Sequence, residues 1–242
     1  MSEMVRLLEA DPDLGRDLTP DAFEAAASGL VARTVEIPRG RWDVEAAWAE
    51  TKAELGLLIV EGVLLSEVSV DPRTSLELLG PGDLVRPWPA RRFPPEIDVR
   101  LRVTAPDQAR VAVLDTLVIT QAMRWPAILG QVVDRAMGRT SSATLRLLIQ
   151  QVVRIDERLL LALWGLAERF GKVTPDGVLM PVALNHTMLA GLVGAHRPSV
   201  THALGDLTER GALERIEGGG WLLHEAFSPE ELRPSGHASG PR

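Results

Sequence analysis

The sequence predicts an α+β chain with an N-terminal antiparallel β-barrel of jelly-roll type, a long helix, and a C-terminal winged helix-turn-helix. Three observations predict that order. Short β-rich runs separated by Pro- and Gly-containing turns fill residues 30–117. An apolar stripe at helical spacing runs through 121–153. The segment LNHTMLAGLVGAHRPSVTHALGDLTERGAL then sets two helices around Gly194. The boundaries this implies are a barrel over 1–120, a helix over 121–153, a winged domain over 154–225 and a flexible tail over 226–242.

The first 27 residues read as short helical pieces broken at Asp11-Pro12 and Thr19-Pro20. Thr19 is placed to cap a helix whose first position is Pro20. Strands are expected at Val31–Ile37, Leu57–Leu65, Glu67–Val70, Ser75–Leu79, Val99–Val103 and Arg110–Leu117. Between the fourth and fifth, Arg86 to Pro95 carries four prolines in ten residues and cannot be a regular element.

In the helical region, Trp125, Ile128, Leu129, Val132, Val133 and Ala136 form one stripe. Arg139-Thr140-Ser141-Ser142-Ala143 is expected to interrupt it before Leu145, Leu148, Ile149 and Val152 resume. The stripe fits a core helix packed on its own barrel and equally a dimer helix meeting its twin.

From Asp156 to Phe170 a further amphipathic helix is stopped by Gly171, and Lys172–Pro181 reads as a hairpin turning at Asp176-Gly177. Asn185 can cap the next helix, Gly194 suits a turn of positive φ, and Pro198 suits the first turn of the following helix. There Val200, Ala203, Leu204 and Leu207 face inward, leaving Arg197, Ser199, Thr201, His202 and Asp206 outward. Two strands around Gly218-Gly219-Gly220 form a wing.

Composition narrows the function classes. The chain has 242 residues, a net charge of −7, no cysteine, and five histidines, all in its C-terminal third. Disulfides and thiolate metal sites are thereby excluded, and the barrel lacks the usual ligands for haem, iron–sulfur or zinc. No cofactor or metal is expected. No apolar run reaches the roughly 18 residues of a membrane span, and the start lacks a signal-peptide pattern, so no membrane association and a cytoplasmic location are expected. No G-x-S-x-G, HExxH, P-loop or G-x-G-x-x-G occurs, and no enzymatic role is expected. The acidic balance argues against DNA as a partner. It persists locally, with six Lys/Arg against eight Asp/Glu over 156–224.

Residues LAGLVGAHRPSVTHALGDL, followed by RGAL and GGGWLL, resemble the winged helix-turn-helix of the cyclic-AMP receptor/fumarate–nitrate regulator (Crp/Fnr) family, whose docking on DNA is a standard example of this geometry. Upstream, GLLIVEGVLLSEV and SLELLGPGDLVRPW are similar to that family's cyclic-nucleotide-binding-like barrel. The resemblance implies a bacterial homodimeric transcription regulator with double-stranded DNA, a second copy and RNA polymerase as partners. It sets the recognition helix at about 197–210 in the major groove. It also implies Arg197 and His202 as base readers, with Ser199, Thr201, His196, His186 and Thr187 at phosphates. Pro198 follows Arg197 where the family often has glutamate, so the family's best-known operator is not expected.

The family's Arg-x-Ala-Ser phosphate-binding sequence is absent, and cyclic AMP is not expected as the effector. Arg86, Trp88, Arg91 and Arg92 are the candidate ligand pocket, with a solvated loop as the other reading. An unidentified small-molecule effector stays open. So does a degenerate relative that acts through protein–protein contacts alone.

Overall fold

The chain is described from a computed structural model, over residues 3–71, 73–87 and 97–228. It divides into two compact units, Met1–Ser142 and Ala143–Arg242.

The first unit opens with β1 (Met4–Arg6), α1 (Leu7–Ala10), a 3-10 turn at Pro12–Gly15 and α2 (Pro20–Gly29). Thr19 caps α2 by accepting from the Ala22 amide, with Pro20 in the first turn. The strands follow as β2 (Val31–Ile37), β3 (Gly40–Trp42), β4 (Gly56–Glu61), β5 (Leu64–Val70), β6 (Arg73–Leu79), β7 (Leu84–Val85), β8 (Val99–Ala105) and β9 (Ala109–Leu114). Helix α3 (Val44–Thr51) lies between β3 and β4, capped by Asp43 through the Ala46 amide. The unit closes with α4 (Thr116–Ala122), capped by Asp115, and the first part of α5 (Pro126–Gln151).

Two antiparallel sheets result, ordered β1-β2-β9-β4-β7 and β3-β8-β5-β6. They form an open jelly roll rather than a closed barrel. At its strands β9 and β4 the first sheet is buried on both faces, which explains their unbroken apolar runs. In β4, Leu57 and Ile59 join Leu64, Leu79 and Val103 of the other sheet, while Leu58 points the opposite way. In β9, Val111 and Val113 share the inter-sheet core, and Ala112 and Leu114 meet the helices. The single run expected over Leu57–Leu65 is two strands that meet at Gly62.

The region expected as one interrupted helix over 121–153 is built otherwise. A turn at 123–125 separates α4 from α5, and α5 continues without interruption through Arg139–Ala143. Serine and threonine lower helix stability by only about half a kcal/mol each, and tertiary bonds outweigh that here. Three side chains four residues apart form a polar ladder along one face of α5. Gln131 donates to Asp17. Arg135 donates to both Asp11 oxygens and to the Gly82 carbonyl. Arg139 donates to the Leu84 carbonyl and to Glu77 at 2.8 Å. Burial opposes the charge of Arg135, but the hydrogen bond to Asp11 and the charges of Asp11, Asp13 and Asp83 outweigh it and raise its pKa.

The second unit contains α6 (Ile155–Phe170), β10 (Lys172–Thr174), β11 (Gly177–Met180), α7 (His186–Val193), α8 (Arg197–Glu209), β12 (Leu213–Arg215) and β13 (Trp221–Leu223). Its antiparallel sheet is ordered β10-β11-β13-β12. Thr174 pairs with Gly177, so the β10–β11 turn is centred on Pro175-Asp176, one residue before the expected position. Proline presets φ for the first of those places. Gly177 follows at φ +140°, and a Cβ there would lie 2.3 Å from the Leu223 carbonyl oxygen of β13. No helix among the described residues is long and apolar enough to cross a membrane.

Candidate nucleic-acid interface

Local chemistry sets the geometry of the second unit. Asn185 caps α7 by accepting from the amides of Thr187 and Met188, both at 3.0 Å. Gly194 ends α7 at φ +62°, ψ +41°, and the Ala195 amide returns to the Ala190 carbonyl. Arg158 of α6 donates to the Val193 carbonyl and to that of Val152, tying α6 to the end of α7 and to the end of α5. Pro198 lies in the first turn of α8.

Replacing Gly194 with alanine keeps the space nearly acceptable, since the new Cβ would meet only the flexible Gln150 side chain at 3.1 Å. The left-handed backbone is the larger cost. Thermal melts of Gly194→Ala are expected to show a loss of about 1–2 kcal/mol.

Helix α8 buries Val200, Ala203, Leu204 and Leu207, the inward set the periodicity predicts. Arg197, Thr201, His202 and Asp206 are exposed and Ser199 is half-buried. His196 is the N-cap of α8, yet its side chain makes no capping bond. The amides of the first turn therefore have no side-chain cap, a geometry suited to an anion. His186 and Thr187 start α7, half-buried and exposed respectively. The structure brings two of the expected contact residues together: His186 Nδ1 lies 2.9 Å from Thr201 Oγ1. Thr201 in turn donates to the Arg197 carbonyl at 3.0 Å.

The wing is β12 and β13 around Ile216–Gly220, with Leu213 paired to Leu223 and Arg215 to Trp221. Trp221 donates from its indole nitrogen to the Leu184 carbonyl at 3.2 Å, fixing the wing to the residue before Asn185. Arg215 lies over the Trp221 ring at 5.7 Å.

Sequence reasoning did not single out Arg158, nor the pair of Arg210 with Asp156 at 3.1 Å. Asp156 also bonds Arg154. That bond, against the opposing effect of burial, holds its carboxyl below the usual range. The links from Arg158 to Val193 and from Arg210 to Asp156 have no local signal, because they span 35 and 54 residues.

Residues 157–226 match the Crp-like helix-turn-helix domain family. Over these residues the C-terminal unit is similar to a Crp-like helix-turn-helix domain. The chain also shares its fold with solved structures along most of its length. One is a cyclic nucleotide-binding domain containing protein from Listeria monocytogenes EGD-e: 16% identity, 88% of this chain and 96% of that one covered, TM-score 0.61. A variant of CooA from Carboxydothermus hydrogenoformans has 18% identity, covering 92% and 93%, with a TM-score of 0.58. A CRP-family transcriptional regulator from Thermus thermophilus has 18% identity, covering 79% and 92%, with a TM-score of 0.54. No curated protein matches the sequence.

In front of this Crp-like domain, the six residues of the expected dimer stripe do not share one environment. Ile128 and Val132 are buried in the first unit's own core, with Trp125 and Leu129 packed against them. Val133 and Ala136 are exposed. Of the candidate ligand pocket, Arg86 lies over the Trp48 ring at 5.3 Å. Trp88, Arg91 and Arg92 lie outside the described residues. A cavity of about 500 Å³ is instead lined by Glu3, Arg33, Thr34, Glu36, Glu50 and Thr51, among others, without Arg86.

Proposed function

We propose that this chain is a sequence-specific DNA-binding transcription regulator that acts as a homodimer, with α8 as its recognition helix. The observation that carries the reading is the exposed start of α8. Inside a Crp-like domain, it presents Arg197, Thr201 and His202 to solvent, with Ser199 half-buried, beside the His186-Thr187 start of α7. Arg197 is the base reader, suited to a bidentate pair with guanine O6 and N7. His202, five residues further along α8, is the second base reader. His196, Pro198, Ser199, Thr201, His186 and Thr187 surround them as the backbone-contacting set. RNA polymerase is the protein partner proposed for this role. Cyclic AMP has no place in the reading, because the Arg-x-Ala-Ser sequence is missing.

The homodimer is supported by a second apolar face of α5. Val133, Met137 and Leu147 are 55%, 65% and 62% exposed, and they fall on a line through Thr140 and Thr144 with alternating spacings of four and three. That spacing is the seam of a two-helix coil. A second copy of α5 is the occupant that satisfies it.

Selection of bound fragments from a random duplex pool tests the reading, together with binding measured against salt. A DNA reader loses affinity steeply as salt rises. Enrichment of a two-fold symmetric site is expected. The acidic balance favours one other reading, a protein-interaction module that has lost DNA binding, and that module would enrich nothing. Arg197→Ala is expected to weaken binding by about 1–3 kcal/mol per half-site and to relax selection at one base step. Unchanged selection at every position would remove Arg197 from the base-reading set.

A further inference from the structure

We infer that this domain takes up protons when it binds DNA, with His186, His196 and His202 supplying as imidazolium the positive charge that the domain otherwise lacks. The inference rests on the DNA-binding reading above and names how that site is regulated.

Hydrogen-bond accounting at His186 comes first. The Thr201 hydroxyl has one proton, and the Arg197 carbonyl 3.0 Å away receives it. The Thr201 oxygen is then an acceptor towards His186 Nδ1 at 2.9 Å, and the tautomer that satisfies both contacts has its hydrogen on Nδ1. In the neutral ring this leaves Nε2 as a bare lone pair. A lone pair repels a phosphate oxygen, whereas the protonated ring donates to it. Contact between His186 and a phosphate is therefore coupled to protonation of Nε2.

The surrounding charges make that proton matter. Over 156–224 six Lys/Arg face eight Asp/Glu. On α6, which packs against both α7 and α8, Arg158 is committed to backbone carbonyls, and Asp156 to Arg154 and Arg210. Glu157 pairs with Arg154 at 3.4 Å. On the wing strand β12, Arg215 lies over Trp221 beside Glu214. Helix α7 has no charged residue beyond His186. On α8 itself, Arg197 shares the exposed surface with Asp206 and Glu209. Asp206 lies 3.7 Å from His202 Nε2. His196, at the start of α8, is exposed and makes no capping bond. Cations strengthen phosphate binding, and at the starts of α7 and α8 three of the four groups that can be cations are histidines.

The test is binding of a mixed-sequence DNA duplex at pH 6.0 and 8.0 at one fixed salt concentration. Calorimetry in two buffers of different ionisation enthalpy counts the protons exchanged. At least about tenfold tighter binding at the lower pH is expected, with net proton uptake, since each proton bound on association changes affinity by up to a decade per pH unit. His186→Gln keeps a side-chain donor for Thr201 but cannot titrate, and it is expected to reduce the pH slope. His186→Gln with His196→Gln and His202→Gln is expected to flatten it, with circular dichroism at both pH values showing each variant folded. Equal affinity at both pH values, or a slope that survives in the triple variant, overturns the inference and leaves the DNA-binding reading standing. Absence of binding at either pH, even at low salt, overturns the DNA-binding reading and this inference with it.

Discussion

Replacing Leu147 of α5 with glutamate is expected to turn a dimer into a monomer and to remove most of the DNA affinity with it. Leu147 is exposed, and its position in the sequence continues the helical spacing of the exposed Val133 and Met137. Burying one such side chain at a two-fold seam contributes about 1.5–3 kcal/mol, and symmetry counts it twice. Each glutamate would also bring a charge into an apolar seam, opposite its own copy. Together these raise the dimer dissociation constant by at least a hundredfold, on the order of 3 kcal/mol or more. Losing the second half-site lowers apparent affinity by roughly 10²–10⁴, because the tethered copy supplies a high effective concentration. Sedimentation equilibrium checks the first effect and duplex binding the second. Val132→Ala serves as a contrast: it opens a cavity in the first unit's core and costs stability without touching the seam. A Leu147→Glu variant that stays dimeric would move the interface off this face.

The difference between the two apolar faces of α5 shows where sequence reading ended. Periodicity identifies a helix and its apolar positions, but not what covers each one. Trp125 to Ala136 reads as one stripe although its members split between the unit's own core and solvent. Local chemistry was legible wherever it was local: the Thr19 and Asn185 caps, the Gly194 turn, Pro198, and the four inward residues of α8 all stand as the sequence implies. Helix α3 was missed although Asp43 offers a cap, because eight residues rich in alanine and glutamate between strands carry little periodic signal. Continuity of α5 through Thr140-Ser141-Ser142 was missed for a different reason. Arg139 is held by Glu77 and the Leu84 carbonyl, and the pair is 62 residues apart in sequence. In the candidate interface, residue types were readable but the link from His186 to Thr201, fifteen residues away, was not.

The polar ladder of α5 leads to the second large effect. Arg135→Met is expected to destabilise the first unit by about 3–5 kcal/mol, the usual result of breaking a buried ion pair from one side. The Asp11 carboxylate is only 8% exposed and would lose both guanidinium bonds, and the Gly82 carbonyl would lose its donor. For a unit of this size, thermal unfolding is expected to fall by roughly 10 °C, at about 2–4 °C per kcal/mol. The double variant Asp11→Leu with Arg135→Met separates two explanations. If the pair itself supplied the stability, the double variant would be at least as unstable as the single one. Desolvation of two charges, however, offsets most of their attraction, so an apolar pair of similar volume is expected to recover most of the loss. The ladder then contributes position rather than stability. Gln131, Arg135 and Arg139 fix which face of α5 packs into the first unit, and hence which face, with Val133 and Met137, is left exposed. Recovery of melting temperature in the double variant, with dimer affinity measured alongside, tests that division of labour. A double variant as unstable as Arg135→Met alone would assign the ladder to stability instead.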